Sequence, residues 1–83
     1  MTTPTTSENP QPRTLMWEVK AADGRLDELL ALVLARADPA ADVYRSGDGR
    51  LVVIDPTGRG VEDIPAELLA RPPHAWPFEP VPR

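Results

Sequence analysis

The sequence predicts a single α+β domain, in which helices cover one face of a small antiparallel sheet. The first observation is length, because 83 residues are enough for one small domain. The second is hydrophobic periodicity: apolar residues alternate at every second position in several short stretches and recur at helical spacing in another. The third is the placement of Asp, Gly and Pro between these stretches, where they mark turns.

The composition argues against several classes of function. A formal net charge of −4 provides no basic surface for phosphates, so we expect no nucleic-acid partner. The chain has no cysteine and a single histidine, which argues against disulfides and a protein-built metal site, and we expect no cofactor. Apolar runs are far shorter than the ~20 residues of a membrane span, and no signal peptide is recognisable. We therefore expect a cytoplasmic protein without membrane contact.

The first 13 residues differ in composition from the rest. They contain no apolar residue after Met1, so they bring no burial to offset the entropy of ordering. We predict a disordered tail over residues 1–13 and one folded domain over residues 14–83. Alternatively, the prolines of the tail form a ligand segment for a partner. In a domain of this size burial barely offsets chain entropy, so we expect association with another subunit.

A strand followed by a helix opens the folded domain. Leu15, Trp17 and Val19 alternate with other positions in "TLMWEVKA", which is the pattern of a half-buried strand. Apolar residues then recur at helical spacing over residues 24–37, with acidic residues in the first turn. The apolar stripe is wider than one face, which indicates a second neighbour. Pro39 marks the end of this helix.

The clearest local pattern is a β-hairpin. Two β-rich runs, Asp42–Arg45 and Arg50–Asp55, flank "SGDG", whose glycines permit the positive φ angles of a tight turn. Residues 51–54 are apolar without interruption, which is typical of an inner strand covered on both faces. One face would meet the helix and the other needs a second cover. The sequence leaves open which alternate pair faces the helix.

Two shorter elements complete the chain. The stretch "PAELLAR" predicts a short helix that begins at Pro65 and ends before the next two prolines. In "HAWPFEPV" the alternation of His74, Trp76 and Phe78 predicts a strand, and Pro77, which has no N–H, places that strand at an edge. The order is strand, helix, strand, strand, short helix, strand. This is the ferredoxin-like βαββαβ arrangement with a four-stranded antiparallel sheet.

The stretch "LMWEVKAADGRLDELLALVL" and the element order over residues 14–80 resemble the small dimeric α/β-barrel superfamily, which includes the antibiotic-biosynthesis monooxygenase domains. The resemblance implies a homodimer in which two sheets pack face to face. For some members it also implies oxidation of phenolic or quinol substrates without metal or flavin, by pocket His, Trp and Asn residues. Trp17, His74 and Trp76 would take such roles here, while the single asparagine, Asn9, lies in the predicted tail.

His74 is the candidate catalytic residue, since a histidine can act as an acid or a base near neutral pH. Asp55 and Glu79 are the carboxylates that we expect to approach it. The alternative is a structural histidine that covers Trp76. The absence of a recognisable second catalytic group favours this alternative.

Four residues form the predicted binding set: Trp17, His74, Trp76 and Phe78. Aromatic residues dominate small cores and association surfaces, so we interpret them first as core or interface anchors, with Trp76 the most buried of the last strand. Their second interpretation is a pocket for a small apolar or aromatic ligand. We therefore expect a small non-catalytic interaction or ligand-binding protein that forms a homodimer through its sheet. The alternatives are a cofactor-independent monooxygenase or related small-molecule enzyme, and an accessory subunit of a larger partner.

Overall fold

The computed structural model describes residues 13–83, which form a four-stranded antiparallel sheet with one α-helix. The predicted α+β class is thereby confirmed. The predicted tail of residues 1–13 lies outside the described residues, apart from Arg13. The strands are β1 (Thr14–Lys20), β2 (Asp42–Arg45), β3 (Arg50–Asp55) and β4 (His74–Phe78), and the helix is α1 (Leu26–Arg36).

The sheet has the strand order β2-β3-β1-β4, and every neighbouring pair is antiparallel. Helix α1 connects β1 to β2, and β3 lies between these two strands. The inner strands are thus β1 and β3, whereas β2 and β4 are the edges. The edge position of β4 confirms the prediction made from Pro77, because a residue without an N–H fits a strand whose outer side is unpaired.

Helix α1 is shorter than predicted at both ends. Gly24 has a left-handed φ of +75°, in a turn that the Arg25 N–H closes by donating to the Ala22 carbonyl at 2.9 Å. The helix therefore begins only at Leu26, and directly after Arg36 the chain is extended. Two acidic residues in its first turn and Arg36 in its last fit the helix dipole. Among residues 13–83, no helix is both long and apolar enough to cross a membrane.

The predicted second helix is reduced to one 3-10 turn, Ala66–Leu68. The chain then runs beside β1: the Ala22 N–H donates to the Leu68 carbonyl and the Ala70 N–H donates to the Lys20 carbonyl, both at 2.8 Å. Prolines on both sides of this segment leave too few residues to offset the cost of starting an α-helix. Instead of forming a helix, the segment hydrogen-bonds through the Leu68 carbonyl and the Ala70 N–H to the end of β1 and the residues that follow it.

The core lies between α1 and one face of the sheet. Leu29 and Val33 of α1 are fully buried and belong to the same cluster as Leu51 and Val53 of β3. Of the two alternate pairs in the apolar strand β3, Leu51 and Val53 are therefore the pair that faces the helix. The other buried apolar residues come from β1 and its extension and from the chain after β3; they are Trp17, Val19, Ala21, Val61 and Leu68.

Candidate functional site

The sheet has a second face, on the side away from α1, whose side chains are all half-buried or exposed. We call it the open face. The register places Ile54, Met16 and Trp76 in one row across β3, β1 and β4. Because side chains alternate along a strand, the members of this face follow from the register. They are Thr14, Met16, Glu18, Lys20, Asp42, Tyr44, Arg50, Val52, Ile54, His74, Trp76 and Phe78.

Five apolar side chains are neighbours on the open face. Met16, Val52 and Ile54 lie on the inner strands and are half-buried. Trp76 and Phe78 lie on β4 and keep 40% and 50% of their surface exposed. We call these five residues the apolar patch. A contiguous exposed apolar surface marks a contact with another molecule more often than an isolated exposed residue does.

The structure brings three of the four predicted binding residues together and separates the fourth. His74, Trp76 and Phe78 lie at alternate positions of β4, all on the open face. Trp17 faces the core, is only 4% exposed and lies opposite Ala75. The predicted set of four therefore does not form one site. Trp76 is also not a core residue of the single chain, because β4 is an edge strand and all its residues are exposed.

His74 contacts an aromatic ring rather than a predicted carboxylate. Its ring meets that of Trp76 edge to face, with centroids 5.7 Å apart and planes at 84°. This is the contact expected of a histidine that covers Trp76. Its cross-strand neighbour is Glu18, which sequence reasoning missed, whereas Asp55 is buried on the core side of the sheet. Only the register between β1 and β4 reveals Glu18, and no local sequence pattern sets that register.

Charged residues border the apolar patch at one end of the open face. The Glu18 carboxylate accepts a hydrogen bond from Arg50 at 3.1 Å and lies 3.7 Å from Arg71. Arg50 also reaches the Asp48 carboxylate at 3.3 Å, and Lys20 Nζ donates to the Asp48 carbonyl at 2.8 Å. We call these five residues the charged end. It contains three cations and two carboxylates, so it presents both signs of charge.

Asp48 is the most strongly perturbed group of the charged end. The Ser46 hydroxyl donates to its carboxylate, and this bond, together with Arg50 and Lys20, lowers the pKa of Asp48 to about 2. Asp48 therefore stays ionised at any pH near neutrality, so the charged end keeps a negative charge at the hairpin turn.

Asp55 is buried for a structural reason. Its Oδ1 accepts hydrogen bonds from the Thr57 N–H at 2.8 Å and the Thr57 hydroxyl at 2.6 Å, and its Oδ2 accepts from the Gly60 N–H at 2.8 Å. Burial alone would raise the pKa of Asp55, but these hydrogen bonds outweigh burial and lower it. The carboxylate closes the loop after β3 and does not reach the open face.

Pro77 makes the outer edge of β4 a poor template for another strand. The Ala21 N–H donates to the Gly49 carbonyl on the β3 side, whereas the Lys20 carbonyl accepts from Ala70 on the β4 side. Backbone N–H and C=O groups alternate in direction along a strand, so the even-numbered residues of β1 direct theirs towards β4 and the odd-numbered residues towards β3. Pro77 lies opposite an odd-numbered residue of β1, so its own backbone groups face away from β1. Its missing N–H lies at the free edge. The free edge of β4 therefore discourages pairing with a further strand.

The hollow beside His74 is a surface feature of the single chain. It is lined by Pro73, His74, Ala75 and Trp76 and is open to solvent. Sites for small molecules usually bury most of the ligand. This hollow by itself therefore does not form a catalytic pocket.

No family model, curated protein or solved structure matches this chain.

Proposed function

We propose that this protein is a small non-catalytic interaction protein that forms a homodimer through its open face. The observation that carries the proposal is the apolar patch, which lies on the sheet face away from α1. We also propose that the fold is a ferredoxin-like βαββαβ unit whose second helix is reduced to a turn. The strand order β2-β3-β1-β4 supports this assignment, because the β1–α1–β2 connection passes over the intervening β3.

The small core supports a second subunit as the cover of this face. Nine apolar residues are buried among residues 13–83, which is few for a domain without cysteines. Covering the apolar patch would add about 25 cal/mol of stabilisation for each Å² of apolar surface removed from water. Folding and dimerisation therefore stabilise each other.

The charge distribution supports a copy of the same chain as that subunit. The charged end carries cations and carboxylates together. A second copy therefore offers both cations and carboxylates to this end, whereas a surface of one sign would repel its own copy. The charged residues also lie at the border of the apolar patch, where an interface keeps its polar rim.

The alternative functions use the same face. His74, Trp76 and Phe78 would contact a small apolar or aromatic ligand if the two sheets left a cavity between them. A cofactor-independent monooxygenase would need His74 inside such a cavity. We expect no oxygen consumption with phenolic or quinol substrates. Consumption that disappears in His74→Ala would identify the enzyme and overturn the non-catalytic proposal.

The substitution Ile54→Lys tests the homodimer directly. Ile54 belongs to the apolar patch and lies opposite Met16, so a lysine there places a charge in the proposed interface and should convert the dimer into a monomer. The matched control is Leu34→Lys: Leu34 lies on α1 and is 59% exposed, so the control should remain dimeric. Light scattering at micromolar concentration gives the mass of each variant, and circular dichroism checks its fold. A wild-type chain that is a compact monomer throughout this range contradicts the proposal.

A further inference from the structure

The side chains of the apolar patch differ in size and in exposure. Trp76 and Phe78, the two largest side chains of the apolar patch, lie on the edge strand β4 and keep 40% and 50% of their surface exposed. Met16, Val52 and Ile54 lie on β1 and β3, between neighbouring strands, and are half-buried. We call the first two residues the ridge and the other three the trough.

We infer that, in the homodimer, each copy places its ridge in the trough of the other, so that β4 lies over β1 and β3 of the second copy. This inference rests on the proposed homodimer and adds which strands meet. Ridges stacked on ridges would hold the two troughs apart and leave a void, whereas interfaces pack to the density of protein interiors. In a two-fold dimer each copy supplies both surfaces, so both troughs are filled at once.

This seating shifts the two sheets sideways and leaves β2 outside the interface. A two-fold axis that runs parallel to the strands, beside β1 on the side of β4, carries β4 of each copy over the space between β1 and β3 of the other. Strand β2 is the opposite edge of the sheet, so it extends beyond the contact. Tyr44, the 58% exposed aromatic residue of β2, therefore stays exposed in the dimer.

The charged end is compatible with this axis. An axis parallel to the strands brings the charged ends of both copies to the same end of the dimer. Arg71 lies just before β4 and is 3.7 Å from Glu18 of its own chain. The sideways shift brings Arg71 of one copy beside Glu18 of the second copy. Opposite charges at the border then set the register of the two copies.

Iodide quenching of tryptophan fluorescence tests whether the ridge is covered. The chain has two tryptophans, and Trp17 is buried in the single chain, so the quenchable emission reports Trp76. We expect the quenching constant to fall several-fold as the wild-type chain is concentrated through its monomer-to-dimer transition. An unchanged quenching constant through that transition overturns the inference, because Trp76 would then lie outside the interface.

Two lysine substitutions at adjacent positions test the sideways shift. Tyr44 and Val52 are cross-strand partners on β2 and β3, so they form a matched pair. We expect Val52→Lys to weaken dimerisation roughly thirty-fold or more, and Tyr44→Lys to change it by about threefold at most. Sedimentation equilibrium gives the dissociation constants, and circular dichroism confirms that both variants fold.

The outcomes of this pair separate the inference from the proposed function. Equal weakening by Tyr44→Lys and Val52→Lys overturns the sideways shift and leaves the homodimer through the open face intact. A wild-type chain that does not associate at any accessible concentration overturns the homodimer, and the inference with it.

Discussion

On the scale of single residues, the two tryptophans of this chain lie on opposite faces of one sheet. Trp17 occupies an odd-numbered position of β1 and is buried against the helix side. Trp76 lies opposite Met16 and faces away from the helix. The two side chains have the same chemistry, so the strand register alone decides that one holds the single chain together and the other is available for a contact.

Truncation of each tryptophan should therefore have a different cost. We expect Trp17→Ala to lower the free energy of unfolding by about 3–5 kcal/mol, because truncation of a large aromatic residue leaves a cavity in the core. Trp76→Ala, measured at concentrations where the chain is monomeric, should cost about 1 kcal/mol or less. Urea titrations of both variants measure these losses. A larger loss for Trp76→Ala contradicts the assignment of the two faces.

The buried carboxylate of Asp55 should make stability depend on acid pH. Its pKa is lowered in the folded chain, so the folded state binds this proton more weakly than the unfolded state. The stabilising contribution is therefore fully present above the unfolded pKa of about 3.9 and is lost as the pH falls through the lowered folded pKa.

The substitution Asp55→Asn isolates this contribution. An amide cannot accept charge-assisted hydrogen bonds at both atoms, so we expect a loss of about 2 kcal/mol at neutral pH. The difference from the wild-type chain should narrow as the pH falls below about 4, through the lowered pKa of Asp55 in the folded chain. Urea titrations across this range measure it, and a difference that does not change with pH contradicts the role of the carboxylate.

On the scale of elements, the loop after β3 is packed against β1 at a glycine. Gly60 has φ +72°, and a Cβ atom at this position would lie 2.8 Å from Leu15 Cδ2. The Gly60 N–H also donates to Asp55. The backbone conformation, the nearby Leu15 side chain and the N–H hydrogen bond thus all favour glycine at position 60. By contrast, a Cβ at Gly47, in the hairpin turn, would meet no atom within 4 Å.

The two glycines give a matched pair of substitutions. Gly60→Ala places a Cβ atom on a left-handed backbone and requires the end of the Leu15 side chain to move, so we expect a loss of about 1–2 kcal/mol in the free energy of unfolding. Gly47→Ala should change stability by about 0.5 kcal/mol at most. Thermal and urea unfolding of the two variants measure the difference. Equal stabilities would show that the loop does not pack against β1 in this way.

On the scale of the whole molecule, one helix is not enough to cover a four-stranded sheet on both faces. Helix α1 and the turn Ala66–Leu68 both pack on the same face, where Leu68 belongs to the core cluster. The apolar patch on the other face is therefore left half-exposed in the single chain. A second copy that covers this patch binds the folded state and not the unfolded state.

The thermal midpoint should consequently rise with protein concentration, because association shifts the equilibrium towards the folded chain by mass action. We expect a rise of several degrees across the micromolar range for the wild-type chain and no rise for Ile54→Lys. Circular dichroism melts at several concentrations measure this dependence. A wild-type midpoint that does not move with concentration contradicts the homodimer.

The local sequence determined much of the fold of this protein. Strict alternation predicted β1 and β4, and the two β-rich runs around "SGDG" predicted the bounds of β2 and β3. These signals depend on neighbouring residues only, because alternation and turn geometry are properties of short segments. The edge position of β4 followed in the same way from one residue, Pro77, which has no N–H to donate.

Only the tertiary structure decided which residues share a surface. Periodicity groups Leu51 with Val53 and Val52 with Ile54, but it does not say which pair the helix covers. It also does not place Trp17 on the face opposite Trp76, or Glu18 across from His74. The physical reason is that a shift of one residue in strand pairing exchanges the two faces of a strand. Long-range packing and hydrogen bonding, which no short segment contains, choose between the two registers.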